Sequence, residues 1–184
     1  MITQPTVFVL GAGASVPYGY PPGSGLTAMI RDRILGGSSG FMKGEIHKPT
    51  GISADKFIVM AESLRDTLKI SVDEWLARNV KFQDCGKICI AQAIATREGV
   101  TAAPERDWYA ELWANYLLPN CNKLKDVIEN TKKIVFVTFN YDRSLEHHLF
   151  YLMENTFRND NQNVKSCLAP SALLPSAFKF YSWP

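Results

Sequence analysis

Two short runs in this 184-residue chain carry residue types that nucleotide chemistry uses. The first is Gly11-Ala12-Gly13-Ala14-Ser15. Two glycines one residue apart let a backbone turn tightly and let a diphosphate approach the peptide N–H groups. The Ser15 hydroxyl is a donor for a phosphate or a ribose. The sixth position of the dinucleotide fingerprint is Val16 and Pro17 follows, so no helix opens there in the dehydrogenase manner. No Gly-Lys-Ser or Gly-Lys-Thr follows either, which excludes a P-loop. The second run is Thr138-Phe139-Asn140-Tyr141-Asp142. An amide at Asn140 bonds a ribose hydroxyl or holds a water; the plainer alternative is a bridge between two loops. Asp142 precedes a helical pattern, where an N-cap explains it as well as a site does.

Other chemistry-bearing residues read more simply. Asp73 and Glu74 stand in a first helical turn, with Ser71 and Glu74 in capping-box spacing. Cys85 and Cys89 share one helix face, but a structural zinc site needs a second close pair. With Cys121 and Cys167 scattered, the four cysteines read as reduced thiols of a cytoplasmic protein. His147 and His148 read as ordinary helix residues and His47 as solvated. Trp108, Tyr109, Trp113 and Tyr116 have helical spacing and read as packing. Lys123, Lys125, Lys132 and Lys133 read as a solvated face.

The elements that must position these residues follow from periodicity. Thr6–Leu10 is a short apolar, β-rich run that reads as a fully buried strand, with the glycine run at its C-terminal end. Ligands of open α/β sheets bind at such ends. Residues 11–25 read as a loop. Leu26–Leu35 has helical spacing and Gly36 and Gly37 stop it; 36–51 reads as an exposed loop. Helical patterns follow at Ser53–Leu68, Ser71–Arg78, Cys85–Arg97, Glu105–Leu118 (Pro104 in its first turn) and Asn122–Asn130. Lys132–Asn140 is the second buried strand, Arg143–Phe157 a helix, 158–166 a polar loop, and Ala177–Tyr181 the start of a third strand. The fold class is therefore α/β: a parallel sheet with a helical insertion over 53–130 between the first and second clear strands, and the sheet incomplete.

Taken together, the two runs resemble the sirtuin-like NAD-consuming family, whose members pair a Gly-Ala-Gly-x-Ser loop with a later Thr-x-Asn-x-Asp segment. Gly19-Tyr20-Pro21 stands where that family places Gly-x-Pro. The longer context is most similar to bacterial sirtuin-like NAD hydrolases of antiphage defence. Those have a Thr-x-Asn-Tyr-Asp-x-x-x-Glu pattern, as in Val137–Glu146. They also have an Ile70, Asp73, Leu76-like helix and a Trp108, Tyr109, Leu112, Trp113-like helix.

The resemblance implies one Rossmann-like domain over 1–184, with the Rossmann-like part at 6–35 and 132–184. It implies that Gly11, Ala12, Gly13, Ser15, Pro21, Thr138 and Asn140 hold NAD. Asn140 would stand at the nicotinamide ribose and Asp142 at the nicotinamide pocket, these two being the catalytic pair. The zinc-ribbon cysteine pairs of deacylases are absent, so the implied reaction is hydrolysis of NAD to nicotinamide and ADP-ribose, without a metal. The family also uses a His on a strand well after the Asn motif. No His follows His148, and Phe178–Trp183 is similar to the approach to that strand. The resemblance thus implies a C-terminally truncated chain. A non-catalytic NAD- or ADP-ribose-binding module is the alternative. A homo-oligomer, a missing C-terminal domain or a partner protein would complete the site.

Composition bounds these readings. Hydrophobic residues are 46% and charged residues 21%, ordinary for a globular protein. A chain of this size hides roughly 70% of its unfolded surface. A net charge of +2 gives no reason to expect direct nucleic-acid binding. No apolar run approaches the ~18 residues of a membrane span. Met1–Pro5 has no Lys or Arg, unlike a signal peptide. A dehydrogenase-type Rossmann domain lacks its acidic residue about twenty positions on. A pure interaction fragment remains the last rival, indifferent to nucleotides.

Overall fold

The computed structural model describes residues 2–37, 48–65, 70–98 and 107–158, and the backbone of 179–182. The expected loop over 38–47 with His47, the end of the helix at 66–68, Pro104, and the polar loop over 159–166 with Cys167 lie outside the described residues. The chain divides into two compact units, 1–18 with 101–184, and 19–100.

The first unit holds the sheet. Its strands are β1 (Thr6–Leu10), β2 (Ile134–Thr138) and β3 (Lys179–Ser182), parallel and in chain order. Thr6 pairs with Ile134 and Leu10 with Thr138, and Phe139 N–H extends the ladder to Leu10 O at 2.9–3.0 Å spacing typical of backbone bonds (3.0 Å here). The two faces of the sheet differ in burial. Ile134 and Phe136 are buried, and Phe136 stacks on Phe8 of β1 at 5.2 Å. On the opposite face Val7 and Val9 are 60% and 65% exposed. The expectation of a fully buried first strand is therefore corrected: β1 is an edge strand among the described strands, covered on one side.

Beyond the sheet, this unit has Trp108–Leu112 as α-helix running into a π-helical turn at Trp113–Leu117, then Leu124–Thr131 and Ser144–Thr156. The expected single helix over Glu105–Leu118 thus changes hydrogen-bond pitch at Trp113, where Leu118 N–H reaches the Trp113 carbonyl at 2.9 Å. Both Trp113 and Leu117 are buried in that wider turn, and the Trp113 indole donates to Thr156 at 3.2 Å.

The second unit is helical. We number its helices α1 (Gly23–Leu35), α2 (Ala54–Arg65), α3 (Val72–Arg78) and α4 (Gln83–Ala95), and the sheet unit's helices α5 (Trp108–Leu112), α6 (Leu124–Thr131) and α7 (Ser144–Thr156). Leu26, Ile30 and Ile34 of α1, Phe57, Met60 and Leu64 of α2, and Trp75 and Leu76 of α3 are buried, the i, i+3/i+4 spacing of amphipathic helices. Gly86 of α4 lies so close to the Leu76 side chain that a Cβ there would overlap it. Ser71 caps α3 by accepting the Glu74 N–H at 3.3 Å. The Glu74 carboxylate turns instead to Arg78, at 2.6 Å on an exposed face, so the capping box is one-sided. The division differs from the expected insertion over 53–130: α1 packs with α2 and α4, whereas α5 and α6 belong with the sheet.

Candidate functional site

The C-terminal ends of β1 and β2 lie side by side, because Leu10 pairs with Thr138. After β1 the chain makes a 3₁₀ turn over Ala12–Ala14, in which Ala14 N–H reaches Gly11 O at 2.9 Å and Ser15 N–H reaches Ala12 O at 3.1 Å. That turn carries Ser15 back to the residues that follow β2. Trp108 secures it by donating to Ala14 O at 2.9 Å.

Gly11 and Gly13 are exposed in this turn. Gly11 has φ −106°, and positive φ among the described glycines occurs only at Gly19, Gly37 and Gly51. A Cβ on Gly11 or Gly13 would meet nothing within 4 Å. Among the described residues, neither a positive φ nor packing requires their lack of a side chain. The turn engages the Ala14 and Ser15 amides and leaves its first ones without a partner inside it.

Ser15, Asn140, Asp142, Ser144 and Tyr109 form one buried network. Asp142 Oδ1 accepts from the Ser15 hydroxyl at 3.0 Å, from the Ser144 N–H at 3.0 Å and from the Ser144 hydroxyl. The Asp142-to-Ser144 backbone bond is an Asx-type turn. Asp142 therefore prepares the start of α7 one residue before the N-cap position, which Arg143 occupies. Its structural and site readings describe the same bonds. Counting protons assigns the rest of the network. With both serine protons on Asp142, Tyr109 is the donor to Ser144 Oγ at 2.7 Å. Burial pushes the Tyr109 phenol up to about 12, so it keeps that proton at neutral pH. Likewise Asn140 Nδ2 donates to Ser15 Oγ at 2.9 Å.

In this proton arrangement the Asn140 Oδ1 is buried with no hydrogen-bond partner among the described residues. The Asn140 backbone is fixed by an N–H bond to Thr138 Oγ1 at 3.0 Å. Ser15 is only 1% exposed and its proton is engaged by Asp142. It locks the glycine turn to Asn140 rather than offering a free donor to a phosphate.

A small cleft opens at this network, lined by Leu10, Thr138, Asn140, Asp142 and Glu146 among others. It has room for about one water. Glu146, in the first turn of α7, is half-buried there. Burial holds its carboxyl above the ordinary carboxylate range; Arg143 and His147 oppose that shift and Asp142 adds to it.

Of the expected site residues, Ser15, Thr138, Asn140 and Asp142 come together, with Gly11, Ala12 and Gly13 in the turn that leads to Ser15. Pro21 belongs to the helical unit and is not among the cleft's lining residues. Neither of the described histidines lines the cleft, although His148 packs against two residues that do, Ser144 and Tyr109. His147 is exposed. His148 Nδ1 faces Ser144 O at 3.2 Å, and its ring packs on Tyr18 at 4.5 Å and Tyr109 at 5.1 Å. Tyr18 in turn donates to Asp107, the N-cap of α5, at 2.7 Å.

Sequence reasoning did not place Tyr109, Ser144 or Glu146 in the site. The Tyr109 signal was present as an aromatic helix, and Glu146 closes the Asn-Tyr-Asp-x-x-x-Glu run. Ser144 carries no signal of its own. Cys85 and Cys89 are buried thiols of the helical unit, and burial together with Cys85 pushes Cys89 up to about 12. Among the described residues no group of His, Cys, Asp and Glu is arranged to hold a metal ion, and no helix is long and apolar enough to cross a membrane.

Comparison of the chain with protein-family models, with curated proteins and with solved structures finds no match in any of the three. Its chemistry must be argued from the site itself.

Proposed function

We propose that the sheet unit is a Rossmann-like, sirtuin-like nucleotide site that hydrolyses NAD to nicotinamide and ADP-ribose. The observation that carries this reading is Asn140 Oδ1, a buried acceptor at the end of a parallel strand with no hydrogen-bond partner among the described residues. A buried polar atom without a partner costs about 1–3 kcal/mol. A ligand hydroxyl or a water at the cleft repays that cost. The open space over Gly11 and Gly13 supports the same reading, since it lets a diphosphate lie against the turn.

Cleaving the bond between nicotinamide and ribose builds positive charge on the ribose as the pair of electrons leaves with the ring nitrogen. A fixed amide oxygen stabilises such charge without having to reorient. The nicotinamide departs neutral, so no acid is needed to release it. The water-sized cleft suits the attacking water, with the dinucleotide lying over the glycine turn outside it. Release of nicotinamide in this way would deplete cellular NAD, the role in antiphage defence that the resemblance implies.

A second reading has its own observation. Neither His147 nor His148 lines the cleft, which favours a module that binds NAD or ADP-ribose without cleaving it. Calorimetric titration with NAD and with ADP-ribose, alongside chromatographic assay of released nicotinamide, separates the two. Release that is lost in Asn140→Ala supports the hydrolase. Saturable binding without release supports the binding module, and neither binding nor release sinks both.

A further inference from the structure

Hydrolysis of the glycosidic bond makes one proton. The water oxygen bonds to the ribose C1′, the C1′–nitrogen pair leaves with nicotinamide, and one water hydrogen must go to a base. Among the described residues no histidine lines the cleft, and those that do include two carboxylates, Asp142 and Glu146. Asp142 Oδ1 already accepts three hydrogen bonds and positions the network. Glu146 makes no ion pair among the described residues, whose bridges are Arg31–Asp32, Arg78–Glu74 and Lys132–Glu129.

Resting on the NAD-hydrolase reading, we propose that Glu146 is the catalytic base that takes the proton of the attacking water held at Asn140 Oδ1. A water that gives one hydrogen to the Asn140 oxygen and the other to a Glu146 oxygen turns its lone pairs toward a third direction, where the ribose carbon would stand. Both acceptors line one cleft with room for about one water, and both are set by α7 and the segment that leads into it.

The charged and titratable groups around Glu146 are Asp142, Arg143 and His147 on its own segment and Tyr109 from α5. Burial outweighs Arg143 and His147 and raises the carboxyl toward the pH at which a base works best.

The test uses the full chain with NAD. Initial rates of nicotinamide release are followed from acid to neutral pH for the wild type, Glu146→Gln and Glu146→Asp, with melting curves to show that each is folded. The expected result is a fall in kcat of about 100- to 10,000-fold in Glu146→Gln with KM unchanged. The acid limb of the wild-type profile should be absent from the residual activity. Glu146→Asp should keep that limb. If Glu146→Gln retains the wild-type kcat and the same acid limb, the base assignment is overturned and the hydrolase reading stands. If the wild type releases no nicotinamide, whether or not NAD stabilises it, both are overturned together.

Discussion

The Asn140 amide makes one bond and forgoes another: Nδ2 donates to Ser15, while Oδ1 is buried without a donor. Removing the side chain loses a bond of about 0.5–1.5 kcal/mol and also removes an unpaired acceptor that costs about 1–3 kcal/mol. Asn140→Ala should therefore melt close to the wild type, while NAD cleavage falls by roughly 100-fold or more. A large loss of stability in calorimetry would mean that Asn140 serves the fold. Glu146 makes the opposite kind of statement. Its carboxyl is raised by burial in the folded state, so the native protein binds more protons than the unfolded chain between the two values. Stability then falls as pH rises through that window. Glu146→Gln removes the penalty. It should be more stable than the wild type at neutral pH, with the gap closing in acid, as read from urea midpoints at the two pH values. A Gln variant that is less stable at neutral pH would contradict the burial cost. Asn140 was visible in the sequence because an amide at a strand end has few plain explanations. The orphaned oxygen was not, since it follows from a proton count over residues up to 129 positions apart.

The glycine turn is the element that most clearly separates ligand from fold. Gly13→Ala has space for its methyl and lies outside the positive-φ positions. It should leave stability unchanged or raise it by about 0.4–1 kcal/mol through the unfolded chain, yet abolish NAD binding in calorimetry. Retained affinity would show that no ligand lies over the turn. Ser15→Ala should behave differently. It strips Asp142 of a donor and Asn140 of its acceptor in a buried site, a loss of about 1–3 kcal/mol seen on thermal melting. Strands and helices were readable from periodicity because each is a local property. The π-helical turn at Trp113–Leu117 was not, because it is accompanied by a long-range bond, from Trp113 to Thr156 of α7, that periodicity does not reveal.

The two faces of the sheet are unequally buried. Phe136 is fully buried and Val7 is 60% exposed, although both lie in apolar β runs. Phe136→Ala should cost about 3–5 kcal/mol, whereas Val7→Thr should stay within about 0.5 kcal/mol. The sequence shows two equally apolar strands and cannot show which face is left bare. For the same reason periodicity located α1, α5 and α6 but not the unit each would join, since that is decided by long-range packing.

The central claim is that this chain's strand-end site cleaves NAD. One-dimensional proton NMR of NAD mixed with the wild type, and separately with Asn140→Ala, followed over hours, tests it most directly. The account predicts signals of free nicotinamide and ADP-ribose growing with the wild type and absent with Asn140→Ala. Intact NAD in both samples, its signals shifted or not, would contradict it.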